Sequence, residues 1–383
     1  MTAVLLATVL ALQFNQRPPL TPAETLLESV VLRAIGESPG DDAPGPAETI
    51  AGADAKAGTI ALTCRAGGCE AAVLAIQKLR GLIFSKGMAR PSRSIWMAAP
   101  GGGTPPASTV AVIHVASGDV PVLRIVHGLW STAGIGDEVA EVFARQAGSV
   151  EARPFENLGQ PQLDQNGVAT TTIVTGPNQA GQAASTAAAT AYFLATLPNE
   201  GTEALLAHLT VGAHARLAED GRRAVAQMGL QQRASADVLI MVGQAIEREQ
   251  RRMRSLERFM PVPVDPMLRI RLTEMEKSIT SLWTSIGITS SPYVPPSERI
   301  RGRGGDDRRV PAGVANATGT ADTAILKHVS HADVGYEVVN FVDGRRTISD
   351  IRDAVMAEFG AIGLPAVVQY LEALAKAGSI TFK

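Results

Sequence analysis

Cys64 and Cys69 are the only cysteines in a chain of 383 residues, in C-x4-C spacing with Glu70 directly behind the second. Two thiols so placed can close a small disulfide loop, supply half of a metal site, or fill space on either side of a turn. A structural zinc site needs four ligands, and no second Cys/His pair stands at a matching spacing. The expectation is two small buried side chains flanking a turn, with a disulfide in their place if the protein is exported. His114 lies inside the apolar run Val112-Ile113-His114-Val115, where a core histidine with a satisfied hydrogen bond is the natural reading. His127 follows a strand pattern and precedes Gly128, a better place for function, but has no acidic partner at a telling spacing. His208 and His214 are six apart, on different faces of a helix, so they are not expected to chelate together. Gly176-Pro177-Asn178-Gln179-Ala180-Gly181 lacks the lysine and the spacing of a phosphate loop.

The elements that must position these groups run from Thr59 to Ala98. Thr59 to Thr63 is a short apolar run, as expected of a strand buried on both faces. Arg65-Ala66-Gly67-Gly68 is a turn. Ala72, Val73, Ile76, Leu79 and Ile83 then recur at helical spacing, so one helix face packs back on the sheet. Pro91 ends a loop, and Ser94-Ile95-Trp96-Met97 reads as the next strand. A strand–helix–strand unit of this length connects parallel strands with a right-handed crossover. Ligands of such sheets bind outside the carboxyl ends of the strands. Cys64, Arg65, Cys69 and Glu70 fall there.

This stretch resembles the core of the di-zinc exopeptidases, the aminopeptidase and transferrin-receptor type. That pattern is a strand ending in His-x-Asp, an Asp-Asn-Gly-Ser-Gly-like turn, a helix, and a Pro-x-Arg-Ser-Ile strand ending in Glu-Glu. Pro91-Ser92-Arg93-Ser94-Ile95-Trp96 matches the last strand, and Val112-Ile113-His114-Val115 resembles the one after it. The ligand positions depart. The first strand ends Ala61-Leu62-Thr63-Cys64, the bridging Asp falls on Arg65, and Pro100-Gly101-Gly102-Gly103 replaces Glu-Glu. A later ligand Asp falls near Ala116, and residues 155–180 contain no histidine. The resemblance covers roughly residues 50–200 and implies a retained fold with the hydrolysis lost. A two-metal hydrolase needs oxygen and imidazole ligands about 3.5–4 Å from one another's ions and a carboxylate base. An arginine at the bridging position opposes two dications by several kcal/mol at about 4 Å.

Three functional expectations follow. The first is an inactive peptidase-like protein, exported, that binds a peptide or protein partner or serves as a structural subunit. Its vestigial site rim is Cys64, Arg65, Gly67, Gly68, Cys69, Pro100, Gly101 and Ala116, with no catalytic residue and no cofactor. The second is an active zinc-dependent aminopeptidase with non-standard ligands, drawn from Cys64, Cys69, Glu70, His114 and Asp119. The third is a cytoplasmic regulator that uses the C-terminal region as a docking module.

Composition and punctuation frame these readings. Hydrophobic residues make up 45% and charged residues 19%, enough for a sizeable core, but aromatics are only 4%, so Ala, Val and Leu must fill it. A net charge of −2 argues against a broad nucleic-acid or anionic-membrane surface. Residues 1–16 form a possible signal segment: Ala3 to Leu12 is apolar, too short to span a bilayer, and suits a secretory h-region with cleavage after Ala11. Residues 17–50 hold a helix from Thr21 to Ile35 and a Gly/Pro linker. Residues 51–200 form the peptidase-like α/β domain, a mostly parallel sheet flanked by helices. Further strands are expected at Thr109–Val115, Val120–Val126 and Thr170–Val174, and a helix at Gly136–Gln146. Residues 201–286 form a helical extension. In its helix Ala234–Phe259 the run Glu247-Arg248-Glu249-Gln250-Arg251-Arg252 reads as a solvated face. A proline break then starts a second helix at Pro266–Ile286, which suggests an antiparallel hairpin. Residues 287–320 read as a flexible, arginine-bearing linker.

Residues 321–383 resemble a small winged-helix domain through Asp343-Gly344-Arg345-Arg346-Thr347-Ile348-Ser349-Asp350-Ile351. Helices are expected at Ala332–Phe341, Ser349–Phe359 and Pro365–Ala377, before a terminal strand at Ile380-Thr381-Phe382. From Leu326 on, six basic residues face seven acidic ones. That balance cannot supply the phosphate contacts on which DNA affinity depends, so nucleic acid is not an expected partner. Protein–protein or intramolecular docking is the expected role.

Overall fold

In the computed structural model the chain is an α/β protein. The structure describes residues 48–54, 56–64, 67–85, 89–98, 105–126, 134–153, 168–197, 202–228, 236–259, 307–313, 332–359 and 362–383, with isolated helical positions between 269 and 284. The possible signal segment and the helix expected at Thr21–Ile35 fall outside these residues, as do Arg65, Pro100, Gly101 and His127, and of the proposed helical hairpin only the first helix is described along its length.

Seven strands form one mixed sheet: β1 (Glu48–Ile50), β2 (Thr59–Cys64), β3 (Ser94–Met97), β4 (Thr109–Ser117), β5 (Leu123–Val126), β6 (Val150–Arg153) and β7 (Ala169–Thr175). Their order is β1-β3-β2-β4-β7-β5-β6. The central block β3-β2-β4-β7 is parallel throughout. β1 adds antiparallel at one edge. At the other edge β5 runs antiparallel to β7, and β6 runs parallel to β5. β5 begins at Leu123 rather than at the expected Val120, which is buried in the approach to the strand.

The pleat sorts these residues onto two faces. Ile60, Leu62, Ile113, Val115 and Ile173 share one face, and each is fully buried. Helices α1 (Cys69–Arg80), α2 (Ile135–Ala147) and α3 (Ala180–Thr196) cover it, α3 lying between the other two. Alanine makes this layer compact: Ala183, Ala184, Ala187, Ala188 and Ala191 are all fully buried, so α3 lies close to its neighbours. The opposite face carries Trp96, Val112 and His114, each half-buried. Helices α4 (Thr202–Met228) and α5 (Ala236–Arg254) extend the same core through Leu205, Leu209, Leu217, Val238 and Val242. Arg93 fastens the extension to the sheet. Its guanidinium donates to the Phe259 carbonyl at 2.6 Å and the Leu194 carbonyl at 3.4 Å, and lies 5.2 Å from the Phe259 ring centre.

The C-terminal region has a separate core around Val338, Phe341, Ile351, Tyr370 and Leu371. It contains α6 (Ala332–Asn340), α7 (Ile348–Phe359) and α8 (Leu364–Lys376). Thr347 and Asp350 cap α7 reciprocally, the Thr347 backbone donating to the Asp350 carboxylate at 3.0 Å and the Asp350 backbone to Thr347 Oγ1 at 3.2 Å. Gly344 and Gly378 take positive φ at 72° and 76°, which suits them to the turns before α7 and after α8. Part of the expected linker belongs here. Pro311–Ala312 (β8) pairs antiparallel with Thr381–Phe382 (β9). Arg309, expected in a tether, instead lies 5.0 Å from the Phe382 ring centre and pairs with Asp307 at 2.6 Å and Glu372 at 2.7 Å. Prolines and arginines gave this segment a linker's composition, but one two-residue ladder with those ion pairs suffices to order it. Among the described residues no single helix is long and apolar enough to cross a membrane.

Candidate functional site

The carboxyl edge of the parallel block is where a ligand of such a sheet would bind. Cys64 ends β2 and Cys69 opens α1, and the two are joined in a disulfide. The expectation of two unlinked buried side chains is thus corrected. The strand end and helix start bring the two Cα atoms to 4.9 Å, within ordinary disulfide reach. Between them the chain folds tightly against β4. A Cβ on Gly67, whose φ is +84°, would meet Ser117 Oγ at 2.3 Å, and one on Gly68 would meet the Val115 carbonyl oxygen at 2.5 Å. These contacts explain the glycine pair better than any ligand does. A third close approach lies at the end of β7, where a Cβ on Gly176 would meet the Val120 carbonyl oxygen at 2.2 Å. Gln179 locks that turn, accepting from the Gly176 N–H at 3.1 Å and donating to the Pro121 carbonyl at 2.6 Å. The Gly176–Gly181 segment is therefore a packed strand–helix turn.

The candidate ligands do not converge. Cys64 pairs in register with Val115 and so shares the helix-covered face. His114 pairs with Thr63, one residue away on each strand, and so points to the opposite face. Its Nδ1 lies 2.9 Å from Thr63 Oγ1, the satisfied histidine that its apolar surroundings suggested. Glu70 and Asp119 are exposed, and Ala116 is buried beside the end of β4. A zinc ion held by this set would need thiolates from sulfurs already bonded to each other and an imidazole from the far side of the sheet. The residues do not fit the metal. Among the described residues no group of three or more His, Cys, Asp or Glu is placed to hold one.

A second concentration of chemistry lies in the interior, where the sequence suggested a solvated face. Arg248, Glu249 and Arg252 are 7%, 0% and 1% exposed. Glu249 accepts from Arg216 Nε at 3.0 Å and Nη2 at 2.7 Å and from Arg248 Nε at 2.9 Å, with Arg252 Nη1 at 3.5 Å. Arg216 also pairs with Glu138 in the first turn of α2. Arg252 lies 3.7 Å from Asp137 and 3.6 Å from Glu138. Arg248 reaches Asp220 on α4 at 2.8 Å and Glu358 on α7 at 3.9 Å. Burial alone would raise the Glu249 carboxyl, but the Arg252, Arg216 and Arg248 guanidiniums overcome it and hold the group well below the usual carboxylate range. The cluster thus joins α2, α4, α5 and the C-terminal module through one hub.

A signal for this existed. Val238, Met241, Val242 and Ala245 form the buried stripe of α5, and steps of three and four residues carry it through Arg248, Glu249 and Arg252 to Leu256. The arginines continue the apolar stripe rather than opposing it. His208, on α4, lies 3.8 Å from Glu138, whereas His214 lies 2.8 Å from the Thr210 carbonyl, so the two histidines keep separate company. Beyond this geometry, no protein-family profile and no curated protein matches the chain.

Proposed function

We propose that this chain is an exported, catalytically inactive peptidase-like protein that binds a peptide or protein partner or acts as a structural subunit. The observation that carries the reading is the disulfide-closed end of β2 against β4. The two sulfurs that would have to serve as ligands are bonded to each other, and glycine backbone fills the space beside Ser117 and Val115. The disulfide also supports export, because such bonds persist in oxidising compartments. The three helices and terminal strand pair of the C-terminal region support the winged-helix resemblance, and the contact of α7 with α5 supports an intramolecular docking role for it.

The test is metal content and hydrolysis measured on the same full-length preparation, oxidised and then reduced. The reading expects substoichiometric zinc and no release of N-terminal residues from peptides in either state. About two zinc ions per chain, as a two-metal site requires, together with peptide hydrolysis would overturn it. Sequencing the N-terminus of the protein from its native cells tests export independently; an intact Met1 with a cytoplasmic location would remove that part.

A further inference from the structure

Two interacting carboxyl groups of the C-terminal module are buried, and one of them faces the rest of the chain. The Glu358 side chain is 4% exposed and faces Arg248 at 3.9 Å. Arg252 on α5, and Asp220 and Arg223 on α4, also act on it. Glu337 on α6 is fully buried and interacts with Glu358. It accepts from Asn340 Nδ2 at 2.9 Å on one oxygen only. The other oxygen, and Glu358 Oε1, are buried with no hydrogen-bond donor among the described residues. The cations nearby are committed. Arg248 already serves Asp220 and Glu249, Arg223 pairs with Asp220, and Arg346, which attracts Glu337, pairs with Asp343 at 2.7 Å. Among the described residues a second negative charge in this space has no counter-ion of its own.

We propose that the C-terminal module is a pH-responsive docking arm, held on α5 while Glu337 and Glu358 carry no more than one negative charge between them and loosened when both ionise. Burial pushes the Glu337 carboxyl up to about 8, the Glu358 charge adds to this, and the Asn340 amide and Arg346 oppose it. Burial raises Glu358 too, chiefly against the pull of Arg248. The sign follows. Opening gives Glu358 to water and takes its charge from beside Glu337, which lets the Glu337 carboxyl fall from about 8 toward its ordinary value near 4.5, so the docked state binds the extra proton within that window. Docking is therefore tightest at the acid end of that window, weakens as pH rises through it, and levels off above. One proton released on opening makes the opening constant rise up to about tenfold per pH unit.

This inference does not rest on the peptidase-like reading, since it concerns the interface rather than the sheet edge. Hydrogen exchange on the full-length protein, corrected for intrinsic rates, tests it between pH 5 and 9. Peptides from α5 should lose protection with that slope, while α7 and α8, inside the module's own core, stay protected. Glu337→Gln should flatten the dependence. Asn340→Ala removes a donor that favours the charged form and should shift the levelling point above that of the parent, a readout that serves if Glu337→Gln fails to fold. Opening that ignores pH in the parent chain, an unchanged slope in Glu337→Gln, an unmoved levelling point in Asn340→Ala, or loss of α8 protection in parallel would each overturn the proposal.

Discussion

Replacing Glu249 by Gln tests whether the interior charges act as one hub. The substitution keeps the shape and removes the charge that Arg216, Arg248 and Arg252 share. Glu249 is 0% exposed, so water cannot take over for the three guanidiniums. Removing one partner from a buried ion pair costs about 3–5 kcal/mol. For a unit of this size each kcal/mol lowers the melting temperature by about 2–4 °C, so a fall of roughly 6–20 °C is expected. The control is Glu141→Gln on α2, whose partner Arg145 is 61% exposed; an i,i+4 surface pair is worth about 0.3–0.5 kcal/mol. Urea titrations followed by circular dichroism measure both. A pH series adds a second readout. Glu249 is held below its usual range when folded, so its contribution is present above about pH 4.5, the unperturbed carboxyl value, and is lost as pH falls further. The parent chain should lose stability in acid more steeply than Glu249→Gln. A loss below about 1 kcal/mol, or one no larger than that of Glu141→Gln, would refute the hub.

Cys64→Ser opens a loop of about six residues and should cost about 2 kcal/mol on the chain-entropy account, a loss that dithiothreitol should reproduce in the parent chain but not in the variant. Gly68→Ala drives a Cβ to 2.5 Å from the Val115 carbonyl and should destabilise by about 1–3 kcal/mol, whereas Gly181→Ala, with nothing within 4 Å, should stabilise α3 by about 0.5–1 kcal/mol in thermal melts. Arg93→Met removes the donors to the Phe259 and Leu194 carbonyls and should cost about 1–3 kcal/mol, with hydrogen exchange rising first in the turn at Ser255–Phe259.

Much of the fold was legible because local pattern and tertiary burial agree. The β-branched run at Thr170–Val174 lies within β7, and Asp137 and Glu138 mark the first turn of α2. Pro365 sits in the first turn of α8, at the helix start its sequence pattern suggested. The failures share a different cause. Residue type alone assigned Arg248, Glu249 and Arg252 to solvent, but acids from three other helices stand opposite the two arginines and Arg216 stands opposite Glu249, and only the fold brings these together. Arg309 misled in the same way, because Glu372 and Phe382 are more than sixty residues away in sequence. At the sheet edge the spacing of Cys64 and Cys69 allowed a disulfide without requiring one. Whether His114 could join them depended on strand register, which places it one residue out of phase with Cys64.

Arg248 also makes the two parts of the chain unequally dependent on each other. Were residues 307–383 cut away, its guanidinium would keep Asp220 and Glu249, and the remaining body would stay electrically matched. In the excised piece Glu358 would lose that cation and meet water in its place. The charge pairing inside the larger part therefore does not depend on the smaller one.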